Sequence, residues 1–152
     1  MTSASASGGR GSAVDCRRVI EEQVAAINDH DAAGLARLYS QDASVRDPQS
    51  AEPLLGRDGV EQDASVFFTA FPDLRAEVSS TVVEGLTFAV ELTLTGTHTG
   101  PLPLGADEVA ATGRTLSFPM AYVSRLDDDG LIRDEQRYYD VASQLQQLGL
   151  LG

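Results

Sequence analysis

The hydrophobic period of this chain changes at Pro72, and that change limits the folds open to it. Before Pro72, Val60, Ala64, Phe67, Phe68 and Phe71 recur at helical spacing. They form an apolar stripe that must lie against a large apolar surface. After Pro72 the period is two. Leu74, Ala76 and Val78 open one run, Leu86 to Leu94 alternates through a second, and Leu116, Phe118, Met120 and Tyr122 through a third. A fourth, Leu131 to Tyr139, follows the turn Asp127-Asp128-Asp129-Gly130. Such alternation marks half-buried strands, and short turns between them predict antiparallel pairing. Helices followed by a strand meander predict an α+β fold with the helices gathered on one face of the sheet. A bent sheet wrapped around the long helix leaves a cavity at its wide end. Pro119 cannot donate a ladder bond and predicts a bulge or an edge.

The remaining elements frame that core. Val19, Ile20, Val24 and Ile27 predict a first amphipathic helix, and Asp31 caps a short second one carrying Leu35, Leu38 and Tyr39. A brief strand, Ala43 to Asp47, stops at Pro48. Asp58 and Glu61 predict a reciprocal cap on the Phe-rich helix. Asp140 caps a closing helix with Val141, Leu145 and Leu148 that Gly149 ends. Residues 1–13 read as a disordered Ser/Gly/Ala tail and 14–152 as a single domain.

Composition narrows function. The formal charge is -12, so phosphate backbones are repelled and nucleic acid is not an expected partner. All 11 basic residues are arginine, which excludes lysine Schiff bases and the phosphate-binding lysine loop. Cys16 is alone, so no internal disulfide or thiolate cluster forms. No apolar run is long enough to span a bilayer, and the start of the chain lacks the apolar core of a secretory signal. A cytoplasmic protein with no membrane association is expected.

Leu38-Tyr39, Asp42-Ala43, Asp47-Pro48, Phe71-Pro72-Asp73-Leu74, Thr97-His98-Thr99-Gly100, Thr112-Gly113-Arg114, and Asp140 followed by Gln147-Leu148-Gly149 share one register. Together, over residues 17–150, they resemble the SnoaL-like polyketide cyclases. That resemblance implies the cone-shaped α+β barrel of the nuclear-transport-factor-like superfamily, with a deep apolar cavity, and a homodimer. In the aromatic polyketide cyclases a catalytic aspartate lies three residues before the position matched by Asp140, where this chain has Arg137. Two histidines of the cyclase pocket fall on Tyr122 and Glu135.

The resemblance turns Glu135 and Arg137 into the cavity, and strand parity puts Arg133 on the same face. A carboxylate in an apolar chamber can serve as general acid or base, and an arginine beside it can stabilise an anion. His98 continues the apolar parity of Leu92, Leu94 and Gly96 and is a candidate proton shuttle. Tyr122 is a candidate for hydrogen bonding a ligand oxygen. Asp47, before Pro48, is a candidate second carboxylate, and Phe68, Phe118 and Met120 are candidate substrate walls. Asp140 is assigned to capping and His30 to an inert loop. The acidic turn lacks the spaced ligands of a calcium loop, and no metal site or cofactor is expected.

Two functions fit. One is a cofactor-independent acid/base enzyme acting on an apolar, oxygenated small molecule, polyketide- or terpenoid-like, by cyclisation, isomerisation or epoxide opening. The other is a non-catalytic small-molecule-binding or dimeric assembly module of the same fold. If the first holds, Glu135→Gln is expected to impair chemistry more than folding.

Overall fold

The computed structural model describes residues 13–151, so the expected tail lies outside the described residues except for Ala13, which already belongs to a helix. Helix α1 (Ala13–Asn28) buries Val19 and Ile20, and α2 (Ala32–Ala36) begins at Asp31, whose carboxylate accepts from Gly34 N at 2.9 Å. Strand β1 (Tyr39–Arg46) follows, then β2 (Leu54–Leu55) and α3 (Gly56–Ala70). The meander comprises β3 (Arg75–Glu84), β4 (Thr87–Thr97), β7 (Thr115–Leu126) and β8 (Ile132–Tyr138). A hairpin of β5 (Leu102–Leu104) and β6 (Asp107–Val109) interrupts it, and α4 (Val141–Gln147) closes the chain.

The six-stranded sheet runs β2-β1-β8-β7-β4-β3. It is antiparallel throughout except between β1 and β8, which pair in parallel with Val45 opposite Glu135. This one parallel pairing brings the residue after β1, Asp47, alongside Arg137. The α+β reading holds, and the meander strands pair antiparallel as expected; the β1–β8 pairing lies outside that expectation. Register shifts in β1, β3 and β8 break the ladders, and such bulges increase local bending and twist. Phe71, Phe88, Leu116 and Ile132 are among the fully buried side chains between sheet and helices. Among the described residues no helix is long and apolar enough to cross a membrane.

Several local expectations are corrected. Tyr39 belongs to β1 and not to α2, because the carbonyl of Leu38 already accepts from Ile132 N at 2.9 Å and draws the chain into the sheet. Helix α3 starts earlier than the Asp58–Glu61 pair suggested. Its N-cap is Leu55, with no side-chain cap bond, and Asp58 lies within the first turn, where a carboxylate suits the helix dipole. Pro119 marks a local edge of β7 and not a bulge. It faces Thr93 in an unbroken β4–β7 register, and pairing with β8 ends at Ala121, so the missing donor forfeits no bond on that side. Beyond that point Gln147 of α4 takes over, accepting from Ser117 N at 2.8 Å.

The C-terminal signals behave as the sequence implied. Asp140 accepts from Ser143 N at 3.1 Å. Gly149, at φ 74, lets Leu150 N reach Leu145 O and Gly149 N reach Gln146 O, the paired bonds of a Schellman ending. In the acidic turn, Asp127 accepts from the amides of Asp129 and Leu131, so its carboxylate builds the turn.

Candidate functional site

The inner face of β8 carries the two most constrained charges in the molecule. Glu135 and Arg137 alternate inward, and their side chains are 2% and 10% exposed. A buried charge is tolerable only when its bonds are satisfied. Glu135 meets that condition from four sides. Its Oε1 accepts from Tyr39 Oη at 2.8 Å, Ser124 Oγ at 2.9 Å and Gln23 Nε2 at 3.5 Å, while Oε2 accepts from Arg137 Nε at 2.8 Å. Gln23 in turn accepts from Tyr122 Oη at 3.0 Å and donates to Tyr39 Oη at 3.2 Å. Burial first, then the Glu135 charge, pushes both tyrosine hydroxyls up, so both stay protonated and act as donors.

Arg137 links this inner anion to two more carboxylates. Its Nη1 donates to Asp47 Oδ2 at 3.1 Å and to Asp63 Oδ2 at 2.9 Å. Burial opposes the guanidinium charge, but Glu135, Tyr39 and Asp63 outweigh it and keep the group protonated. Asp47 also accepts a short hydrogen bond from Tyr139 Oη. Tyr139 is pushed up by burial and by that bond, so it remains a phenol. Asp63 differs from its neighbours because its side chain is 41% exposed. Burial pushes its carboxyl up, and Arg137 only partly offsets the shift.

These groups form the polar end of a cavity of about 130 Å³. Its other walls are apolar and include Ile27, Phe67, Phe68, Leu92, Phe118 and Met120. Gln49 and Gln144, bonded at 2.6 Å, also line it. Among the described residues no group of three His, Cys, Asp or Glu side chains is arranged to hold a metal ion.

Of the residues singled out from sequence, Glu135, Arg137, Tyr122, Asp47, Phe68, Phe118 and Met120 all line this cavity. His98 is not among the lining residues. It is fully buried against Phe71, ring centroids 5.3 Å apart, where β4 has already ended. Thr112 N donates to its Nδ1 at 3.2 Å, which leaves the ring proton on Nε2, a buried atom with no partner among the described residues. Burial also pulls its pKa down, favouring the neutral ring. Arg133 departs from parity. The register shift at Arg125/Leu126 turns Ile132 inward and leaves Arg133 exposed beside Asp134 at 3.3 Å.

Sequence reasoning missed Gln23, Tyr39, Asp63, Ser124 and Tyr139. Asp63 was within reach. It lies three residues after Val60 and four before Phe67, so it shares the core-facing stripe of α3. Ser124 continues the parity of Phe118, Met120 and Tyr122. Gln23 and Tyr39 are recognisable only once β1 lies beside β8.

Comparison with known proteins adds to this geometry. The sequence model of the SnoaL-like polyketide cyclases matches residues 17–148. Among solved structures, TsrD from Streptomyces laurentii superposes with a TM-score of 0.77 at 24% identity, covering 91% of this chain and 98% of that one. AclR from Streptomyces galilaeus, a candidate hydroxylase, gives 0.73 at 28% identity over 88% and 80%. IdmH from Streptomyces antibioticus, a candidate polyketide cyclase, gives 0.71 at 27% identity over 88% and 97%. No curated protein matched the chain by sequence.

Proposed function

This chain belongs to the SnoaL-like polyketide cyclase family, and we propose that it is an acid/base enzyme converting an apolar, oxygenated small molecule by cyclisation, isomerisation or epoxide opening. One observation carries this reading: a single guanidinium nitrogen holds Asp47 and Asp63 side by side at the polar end of an apolar cavity. Two carboxyl groups in different environments are how such pockets divide acid from base work. Asp63 is the proton-transfer residue. It is partly exposed, lines the cavity, and has a carboxyl pushed towards working pH, where general acid/base catalysis is most effective. Asp47 is its partner carboxylate, held by Arg137 and Tyr139.

Glu135 is a positioning residue in this scheme. Both its oxygens are engaged and its side chain is almost wholly enclosed, so it anchors Arg137 and through it the two aspartates. Phe68, Phe118 and Met120 supply apolar walls. Isomerisation, cyclisation by a nucleophile of the substrate itself and epoxide opening by water or an internal hydroxyl are redox-neutral and ask the protein for proton transfer, so the proposal invokes no cofactor.

Asp63→Asn tests the assignment. Polyketide- and terpenoid-like ketones and epoxides are incubated with the protein and followed by mass spectrometry. For any compound converted, the variant is expected to lose ~10²–10⁴-fold in kcat. Its melting temperature should meanwhile rise at neutral pH. Asp63 has a folded-state pKa above its unfolded one, so its ionised form disfavours folding, and that penalty fades as pH falls through the folded value towards ~3.9. Undiminished turnover would remove Asp63 from proton transfer. Compounds that bind and are never converted would favour the non-catalytic binding module.

The proposal includes a homodimer formed through the outer sheet face. Val82, Ala89, Val123 and Gln136 align across β3, β4, β7 and β8, and Val82, Val123 and nearby Tyr138 are exposed. An apolar row of this kind suits a self-complementary interface. Light scattering across micromolar dilutions is expected to give about twice the chain mass, and a monomer mass throughout would exclude the dimer.

A further inference from the structure

We propose that the cavity selects its ligand by charge, taking cationic small molecules most tightly, neutral ones less so, and rejecting anions. This deepens the functional reading above and rests on it. The charged residues lining the cavity are Asp47, Asp63, Glu135 and Arg137. Three carboxylates surround one guanidinium, so the polar end carries a formal charge of -2, or -1 when Asp63 holds a proton. Two nitrogens of the single cation are committed, with Nε on Glu135 and Nη1 shared by Asp47 and Asp63.

A ligand anion entering this site would approach Arg137 past carboxylates already bonded to it. Low-dielectric walls strengthen that repulsion. A cation meets the reverse situation. Asp63 lines the cavity with 41% of its side chain exposed, and only Oδ2 takes part in its bond to Arg137. Phe67, Phe68 and Phe118 lie on the cavity wall, and ring faces attract a desolvated cation. The familiar role of an arginine at the bottom of a pocket, capturing a carboxylate or phosphate, is opposed here by three carboxylates around the one guanidinium. Substrates bearing a free acid are excluded, and those with an amine or only neutral oxygens are admitted.

Volume sets the probe. A cavity of ~150 Å³ accommodates benzene, and this one measures about 130 Å³. Benzylammonium, benzyl alcohol and benzoate share one ring and differ in charge. Titrated by ligand-observed NMR at pH 7 and fixed ionic strength, they are expected to bind in that order, with at least tenfold between the first and the last. The net charge of the whole chain also favours cations, so two variants separate local from global effects. Asp63→Asn and Asp47→Asn each remove one cavity charge and should narrow the ratio severalfold. Asp128→Asn removes one charge from the remote turn and should leave it unchanged. Equal narrowing in all three, or benzoate binding as tightly as benzylammonium, overturns charge selection. If none of the three probes binds, the cavity is not a binding site and the functional reading fails with it.

Discussion

Replacing Glu135 by Gln separates a site built around a fixed anion from one in which that carboxylate merely moves a proton. The substitution preserves shape and leaves no cavity, so its cost is electrostatic and geometric. In the native site every partner of Glu135 is a donor: Tyr39 and Ser124 hydroxyls and the Gln23 amide on one oxygen, Arg137 Nε on the other. A glutamine has one acceptor oxygen. If that oxygen faces Arg137, its amide points at Gln23 Nε2 and two hydroxyls that need new acceptors. In the opposite orientation it confronts Arg137 Nε with another donor. Either way a buried group is left unmatched, at ~1–3 kcal/mol.

Removing one partner of a buried ion pair commonly costs ~3–5 kcal/mol. Arg137 retains Asp47 and Asp63, so the lower end applies, and we expect about 2–3 kcal/mol from these two principles together. For a chain of this length that corresponds to a fall of roughly 5–10 °C in Tm. Calorimetry with a matched urea titration measures it, and Ser124→Ala, removing one donor, should cost about 1 kcal/mol. The sequence alone suggested that Glu135→Gln would spare folding, since the residue fills no hydrophobic core. A Tm equal to or above that of the parent protein would restore that view and refute the anchoring role of Glu135.

Two further substitutions probe the frame around the site. Asp73 accepts from Thr97 N at 2.7 Å and from Thr97 Oγ1 at 2.8 Å, bonds that hold its carboxyl below the usual range. Its stabilisation is present above ~3.9 and lost as pH falls through the depressed folded value. The Tm deficit of Asp73→Asn should therefore be clear at pH 7 and shrink in melts below about pH 4. Gly100→Ala would place a Cβ 2.0 Å from Thr69 O, at the contact where Thr99 N and Gly100 N both reach Ala70 O. Overpacking against backbone should cost about 1–3 kcal/mol, and an unchanged urea midpoint would show that the contact can relax.

What the sequence disclosed depended on how far each feature lies along the chain from its cause. The alternation in β4, β7 and β8 is local, and those strands appear where period two placed them. The caps at Asp31 and Asp140 are equally local, and both form. The hairpin of β5 and β6 has three residues per strand, too few for a period to register. Parity counting failed where a bulge intervened, at Arg133; at His98 it gave the buried face correctly, but the ring packs on Phe71 and does not line the cavity.

The parallel pairing of β1 with β8 has no local signature, because its partners lie some ninety residues apart. The site depends on that pairing. Val45 opposite Glu135 sets the register that carries Asp47 to Arg137, while α3 delivers Asp63 to the same nitrogen. At 137 the sequence has an arginine where the resemblance leads one to expect a carboxylate. Glu135 on the same strand pairs with that cation, and two more carboxylates come to it from other elements, one from the end of β1 and one from the middle of α3. The departure from the family pattern and the two aspartates are therefore parts of a single arrangement. Arg137 is the part that holds the two aspartates beside each other at the polar end of the cavity.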